Sequence, residues 1–148
     1  MTESPDKTTK ALLSIRIIWA MMLAGQLVFL IVVVTLLGTG FVEGPTDLHP
    51  VAGYIGLGVL VVAAPAAHIA RQQVYKANWQ GEAISPGGYA NGNIVHLAIL
   101  EGAAIVNLIA ALISGSWVPG LISALVAMAI QAASYPNGRA MQPSAAQP

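Results

Sequence analysis

Four long apolar stretches, a charged content of 8% and a mean hydropathy of +0.72 predict an all-α fold, a bundle of four transmembrane helices. Ordinary soluble domains carry about 25% charged residues, so these 148 residues leave almost nothing for a domain outside the membrane. Each stretch is long enough to cross a hydrocarbon core of about 30 Å, which takes roughly 17 to 25 helical residues and far exceeds the roughly 9 to 11 of a barrel strand. Backbone in lipid must satisfy its own hydrogen bonds, so each run is read as a helix.

Residues 1–16 form a polar tail carrying Lys7, Lys10 and Arg16. The first span is expected from Ile17 to Leu37, and it exceeds the roughly 7 to 15 apolar residues of a signal peptide, so it is retained. A Gly- and Pro-rich outer loop from Gly38 to Pro50 leads to the second span, Val51 to Ile69, in which Pro65 should kink the helix. Together 17–70 make a first hairpin, followed by a cytoplasmic loop over 71–92. The third span, Asn93 to Ile113, and the fourth, Trp117 to Ser134, are joined by the tight turn Gly115-Ser-Trp-Val-Pro-Gly120. They give a second hairpin over 93–135, and 136–148 read as a flexible tail.

The two hairpins look like a repeat. A shift of 77 lays Ile17 on Ile94, Gly25 on Gly102 and Gly38 on Gly115; a shift of 67 lays Gly53 on Gly120 and Val59 on Val126. The bundle is therefore expected to consist of two similar helical hairpins. All six basic residues fall on one side of it, whereas the outer loops carry Glu43, Asp47 and no base. By the excess of Lys and Arg in cytoplasmic loops, both termini are expected in the cytoplasm. A formal net charge of zero argues against a nucleic-acid partner, and the absence of cysteine excludes cysteine-held iron–sulfur and zinc centres.

Glu101 is the only acid inside any span, with Ala24 at its repeat-related position. An ionisable group within a helix span costs roughly 2.5 to 3.5 kcal/mol on insertion scales, so such groups face a bundle interior, a partner or an ion path. Counted from Asn93, Glu101 would lie about 12 Å in from the cytoplasmic end. Helical spacing puts Leu97, Ala104 and Leu108 on its side, facing a neighbouring helix. Gln26 and Gln131 lie inside other spans at similar depth, and Gln26 is the preferred donor to Glu101. Asn107 is about 120° away around the helix and is expected to bond elsewhere. His68 and His96, both near cytoplasmic helix ends, raise an alternative: a b-type haem held by two imidazoles. Gly53, Gly56 and Gly58 and the alanine runs indicate close helix contact. Trp19, Tyr54, Trp117 and Tyr135 read as interfacial anchors.

The segment Ala98-Ile-Leu-Glu-Gly-Ala-Ala-Ile-Val-Asn-Leu-Ile109 resembles the carboxylate helix of rotary ATPase proteolipids, the ring-forming c or K subunits. The stretch from Arg16 to Leu30, with Leu100-Glu-Gly102, is also similar to a group of small bacterial four-helix membrane proteins. These resemblances imply a multi-pass protein of a bacterial cytoplasmic membrane, proteolipid-like in build. In the proteolipids the acid lies on the second helix of a hairpin and the inner helix carries a glycine ladder; Glu101 lies on the first helix of its hairpin, and helix 1 lacks the ladder. A rotor of an ATP synthase is therefore not expected.

The resulting expectation is a non-enzymatic oligomeric membrane subunit without a cofactor, its partners the lipid bilayer and further copies or a membrane complex. Glu101 would bind a proton or cation or bond across a subunit interface, with Gln26 and Gln131 in support. A structural accessory or lipid-organising subunit of a larger complex is the second class, and the haem-bearing electron-transfer anchor the third. No nucleophile-and-base pair, zinc spacing or phosphate loop is present to suggest an enzyme.

Overall fold

The computed structural model describes residues 5–41 and 49–142; parts of the two tails and of the first outer loop lie outside the described residues. In chain order it contains α1 (Pro5–Gly38), α2 (His49–Ala77), an antiparallel ribbon of β1 (Trp79–Gln80) and β2 (Ala83–Ile84), α3 (Pro86–Ser114), α4 (Gly120–Ala133) and a 3-10 turn (Arg139–Met141). Three of these helices, α1, α2 and α3, are long and apolar enough to cross a membrane. With 14 residues α4 is shorter, reaching about 21 Å at about 1.5 Å per residue.

The helix ends differ from the sequence expectation. Helix α1 starts at Pro5, not Ile17: proline suits a first helical position and nothing between it and Gly25 breaks a helix. Its 34 residues extend about 51 Å, well beyond a core of about 30 Å, so the segment bearing Lys7, Lys10 and Arg16 is helix rather than loose tail. Helix α2 runs unbroken through Pro65 and on through Arg71 and Lys76 to Ala77. The expected loop over 71–92 shrinks to 78–85, because Ser85 caps α3 by accepting from the Gly88 N–H at 3.1 Å and Pro86 occupies the first turn. Gly81, at φ +76, lets the chain reverse between β1 and β2.

Residues 136–142, expected as flexible tail, fold back over this end of the bundle. Pro136, Gly138 and Met141 are buried, and Met141 packs with Ile15, Ile84, Tyr89 and Leu97. The Gly138 N–H donates to Tyr89 Oη at 3.0 Å, and Arg16 Nε donates to the Pro136 carbonyl at 3.1 Å. An apolar Met side chain thus finds a site that the polar composition of the tail concealed.

The packing is organised around α3 rather than as two hairpins. Half of its most apolar window is buried, against 22% for α2 and 11% for α1, and α3 contacts all three other helices. Helices α1 and α2, expected to pair, scarcely touch and flank α3 instead. The inward residues of α1, Ile15, Trp19, Met22, Gln26, Phe29 and Val33, are spaced alternately by four and three, the spacing of a helix seam. Against α3 and the turn before α4, α2 presents glycine: a Cβ on Gly56 would stand 2.5 Å from Asn107 Oδ1 of α3, and one on Gly53 would overlap the Pro119 ring ahead of α4. These contacts also fix direction. The start of α2 meets the start of α4, and Arg71, at the far end of α2, shares a cavity with Arg139 beyond α4.

Candidate functional site

Because α3 begins at Pro86, Glu101 lies near its midpoint, about 22 Å from that end rather than the 12 Å inferred from a start at Asn93. Leu97 and Leu108, on the same side of the helix, belong to clusters with Ile15 and Val33 of α1, so Glu101 lies on the α1 side of α3. It is half-buried, at the margin between that seam and an open face bearing Ile94, Ala98, Gly102, Val106 and Ile109. A Cβ on Gly102 would meet nothing within 4 Å. Among the described residues the Glu101 carboxylate has no hydrogen bond or ion pair.

Gln26, expected to donate to Glu101, bonds elsewhere. Its Nε2 donates to Gln131 Oε1 at 2.7 Å, both side chains being fully buried where α1 lies against α4. Trp19 Nε1 donates to the Gln131 carbonyl at 3.0 Å, and Trp19 meets Tyr135 edge-on with ring centroids 5.1 Å apart. Docking α1 onto α4 at this level turns Gln26 towards Gln131 and away from Glu101. One bond does not satisfy two amides: Gln26 Oε1 and Gln131 Nε2 are buried without partners among the described residues. Asn107 does bond elsewhere, donating from Nδ2 to the Ala103 carbonyl of its own helix at 2.8 Å.

The two histidines sit differently from one another. His96 is buried, with Nε2 3.0 Å from Ser134 Oγ across to the end of α4. His68 is exposed, its Nδ1 3.4 Å from Arg71 Nη2 on the next turn of α2. For His96 to ligate a haem through Nε2, the Ser134 contact would have to be given up.

Sequence reasoning missed a polar cavity of about 350 Å³ at the end of the bundle where the basic residues gather. It is lined by Arg71 and Tyr75 of α2, Tyr89 and Asn93 of α3, Ser134, and Arg139 in the 3-10 turn, among others. Tyr75 and Tyr89 stack with centroids 5.8 Å apart and planes 18° apart, and Asn93 Nδ2 donates to Tyr75 Oη at 2.7 Å. A signal was present. Arg71 with Tyr75, and Tyr89 with Asn93, are pairs four residues apart, which share a face once 71–77 and 86–92 are helical.

Fold and site together define a helical integral membrane protein with a lone carboxylate midway along its central helix. No protein-family model, curated protein or solved structure matches this chain.

Proposed function

We propose that the chain is a non-enzymatic, proteolipid-like membrane subunit that works as an assembly of copies, with both termini in the cytoplasm and four helices in the bilayer. In the assembly a neighbouring copy covers the open face of α3, and Glu101 binds a proton or cation at that interface or bonds across it. The observation that carries this reading is Glu101 itself: an acid at the middle of an apolar helix, at the rim of an open face, with no partner among the described residues. Such a group costs roughly 2.5 to 3.5 kcal/mol on insertion scales, and a second copy would offer it cover and partners. Ala98 and Gly102 beside it leave room for another helix to approach.

The chain has no cysteine, so a Gly102→Cys variant reports on this face alone. Mild oxidation in membranes should link it into dimers, native mass spectrometry should report more than one copy, and dicyclohexylcarbodiimide should label the native chain but not Glu101→Gln. A monomer in native spectra together with failure of the cross-link would sink the assembly. Labelling unchanged in Glu101→Gln would remove the carboxylate from the proposal.

A further inference from the structure

We infer that the cavity at the basic end binds a phosphate group, carried by an anionic phospholipid of the adjacent leaflet or by free inorganic phosphate. At about 350 Å³ it falls at the lower end of the roughly 300 to 1,000 Å³ typical of ligand sites. Two guanidinium groups line it, Arg71 and Arg139, and among the described residues no carboxylate does. Arg71 Nε is buried and has no hydrogen-bond partner among the described residues. A buried N–H on a permanent cation is costly to leave unmade, and an anionic oxygen is the acceptor it suits best.

The phenols add donors of the same kind. Tyr75 Oη accepts from Asn93 Nδ2, and Tyr89 Oη accepts from the Gly138 N–H, so each hydroxyl uses its oxygen and keeps its hydrogen for another acceptor. Asn93 also donates to the Tyr89 carbonyl at 2.8 Å, which makes it a brace for the phenol pair rather than a ligand contact. The lining therefore offers the Arg71 cation and hydroxyl hydrogens together. A lipid phosphodiester presents only acceptor oxygens and negative charge, and free phosphate near neutral pH is an anion with at least two unprotonated oxygens, so either complements that set.

Location favours the same chemistry. The cavity lies where α2, α3 and the end of α4 come together, close to Tyr135, which pairs with Trp19 and also lines it. Trp and Tyr concentrate at headgroup level, and basic pockets between membrane helices hold phospholipid headgroups. Three separate stretches, around 71–75, 89–93 and 134–140, supply the lining, so the site exists only in the folded chain. Glu101 lies outside it, and the inference stands apart from the assembly proposed above.

The test uses the full chain in detergent, by thermal unfolding and native mass spectrometry, with phosphatidylglycerol, phosphatidylcholine or inorganic phosphate added. Phosphate is compared with chloride at equal ionic strength, since screening alone weakens such contacts. The expected result is retention of, and stabilisation by, phosphatidylglycerol or inorganic phosphate, but not phosphatidylcholine or chloride. Arg71→Gln should weaken this by about tenfold or more, Arg71→Lys by less, and Tyr75→Phe measurably, while Glu101→Gln binds as the native chain does. A response to the lipid without one to phosphate identifies the headgroup as source; a response to phosphate identifies the free ion. If the native chain discriminates neither anion from its control, the inference is overturned. It is equally overturned if Arg71→Gln and Tyr75→Phe both bind unchanged; Tyr75→Phe keeps the ring stack and decides the matter should Arg71→Gln not fold.

Discussion

At the scale of single residues, polar groups in the spans divide into those satisfied within the chain and those left for something else. Ser134 returns a hydrogen bond to the Ile130 carbonyl at 2.8 Å and so costs its helix little, whereas Asn107 donates to the Ala103 carbonyl at 2.8 Å but keeps a buried Oδ1 without a partner among the described residues. Gln26 and Gln131 make the buried side-chain bond across α1 and α4, and it leaves one acceptor, Gln26 Oε1, and one donor, Gln131 Nε2, without partners among the described residues. Interhelical bonds of this kind are worth about 0.6 to 2 kcal/mol in membrane proteins. Replacing one amide strands the other, whereas replacing both removes the unmet demand. Gln26→Leu and Gln131→Leu should therefore each destabilise the bundle, and the double variant should lose less than their sum. A double-mutant cycle on unfolding in mixed micelles should return a coupling of about 1 kcal/mol; additive losses would mean that the two amides do not act together.

At the scale of elements, the seam between α2 and α3 depends on absent side chains. Gly53 and Gly56 lie against Pro119 and Asn107, but Gly58, two residues on, faces open space. Gly56→Ala places a methyl against Asn107 Oδ1, an overpacking that costs roughly 1 to 3 kcal/mol. Gly58→Ala should be neutral or gain up to about 1 kcal/mol through helix propensity. Thermal midpoints of the two variants in one detergent test the pair: equal shifts would deny that α2 packs through this face. The helices themselves were legible, because their existence follows from apolar length. Their ends were not, since the charges at Arg16 and Arg71 looked like boundaries, although a helix leaving the bilayer carries them without penalty. The separation of α1 from α2 is not legible for another reason: sequence neighbours usually pack together, but here both pack on α3 and scarcely touch each other. Glu101 was singled out by composition alone, while its supposed partner depended on rotation and docking angle, which periodicity does not supply. The basic-end cavity needed three distant stretches brought together, and only the fold does that.

At the scale of the molecule, helix direction gathers the positive charge at one end of the bundle. The start of α1 is tied to the chain after α4 by Arg16 and the Pro136 carbonyl, and the far ends of α2 and α4 share the cavity with Arg71 and Arg139. The basic residues in the described segments, from Lys7 to Arg139, thus lie towards one end of the bundle, the end that the proposed orientation places in the cytoplasm. Helix α4, reaching about 21 Å, is shorter than the roughly 30 Å hydrocarbon core, so the proposed four-span arrangement requires that the bilayer thin beside it or that the turn before it lie within the membrane boundary. Single cysteines in this cysteine-free chain separate these points. With an impermeant maleimide on intact cells, Thr39→Cys and Val118→Cys, both at exposed positions, should label from outside, and Gln80→Cys and Asn137→Cys only after permeabilisation. A reversed pattern would invert the chain in the membrane. If Val118→Cys labels more slowly than Thr39→Cys but from the same side, the turn before α4 is submerged and the short helix still crosses. Labelling of Val118→Cys from the side of Gln80→Cys would mean that α3 and α4 do not cross, and Glu101 would lose the membrane setting that gives it a role.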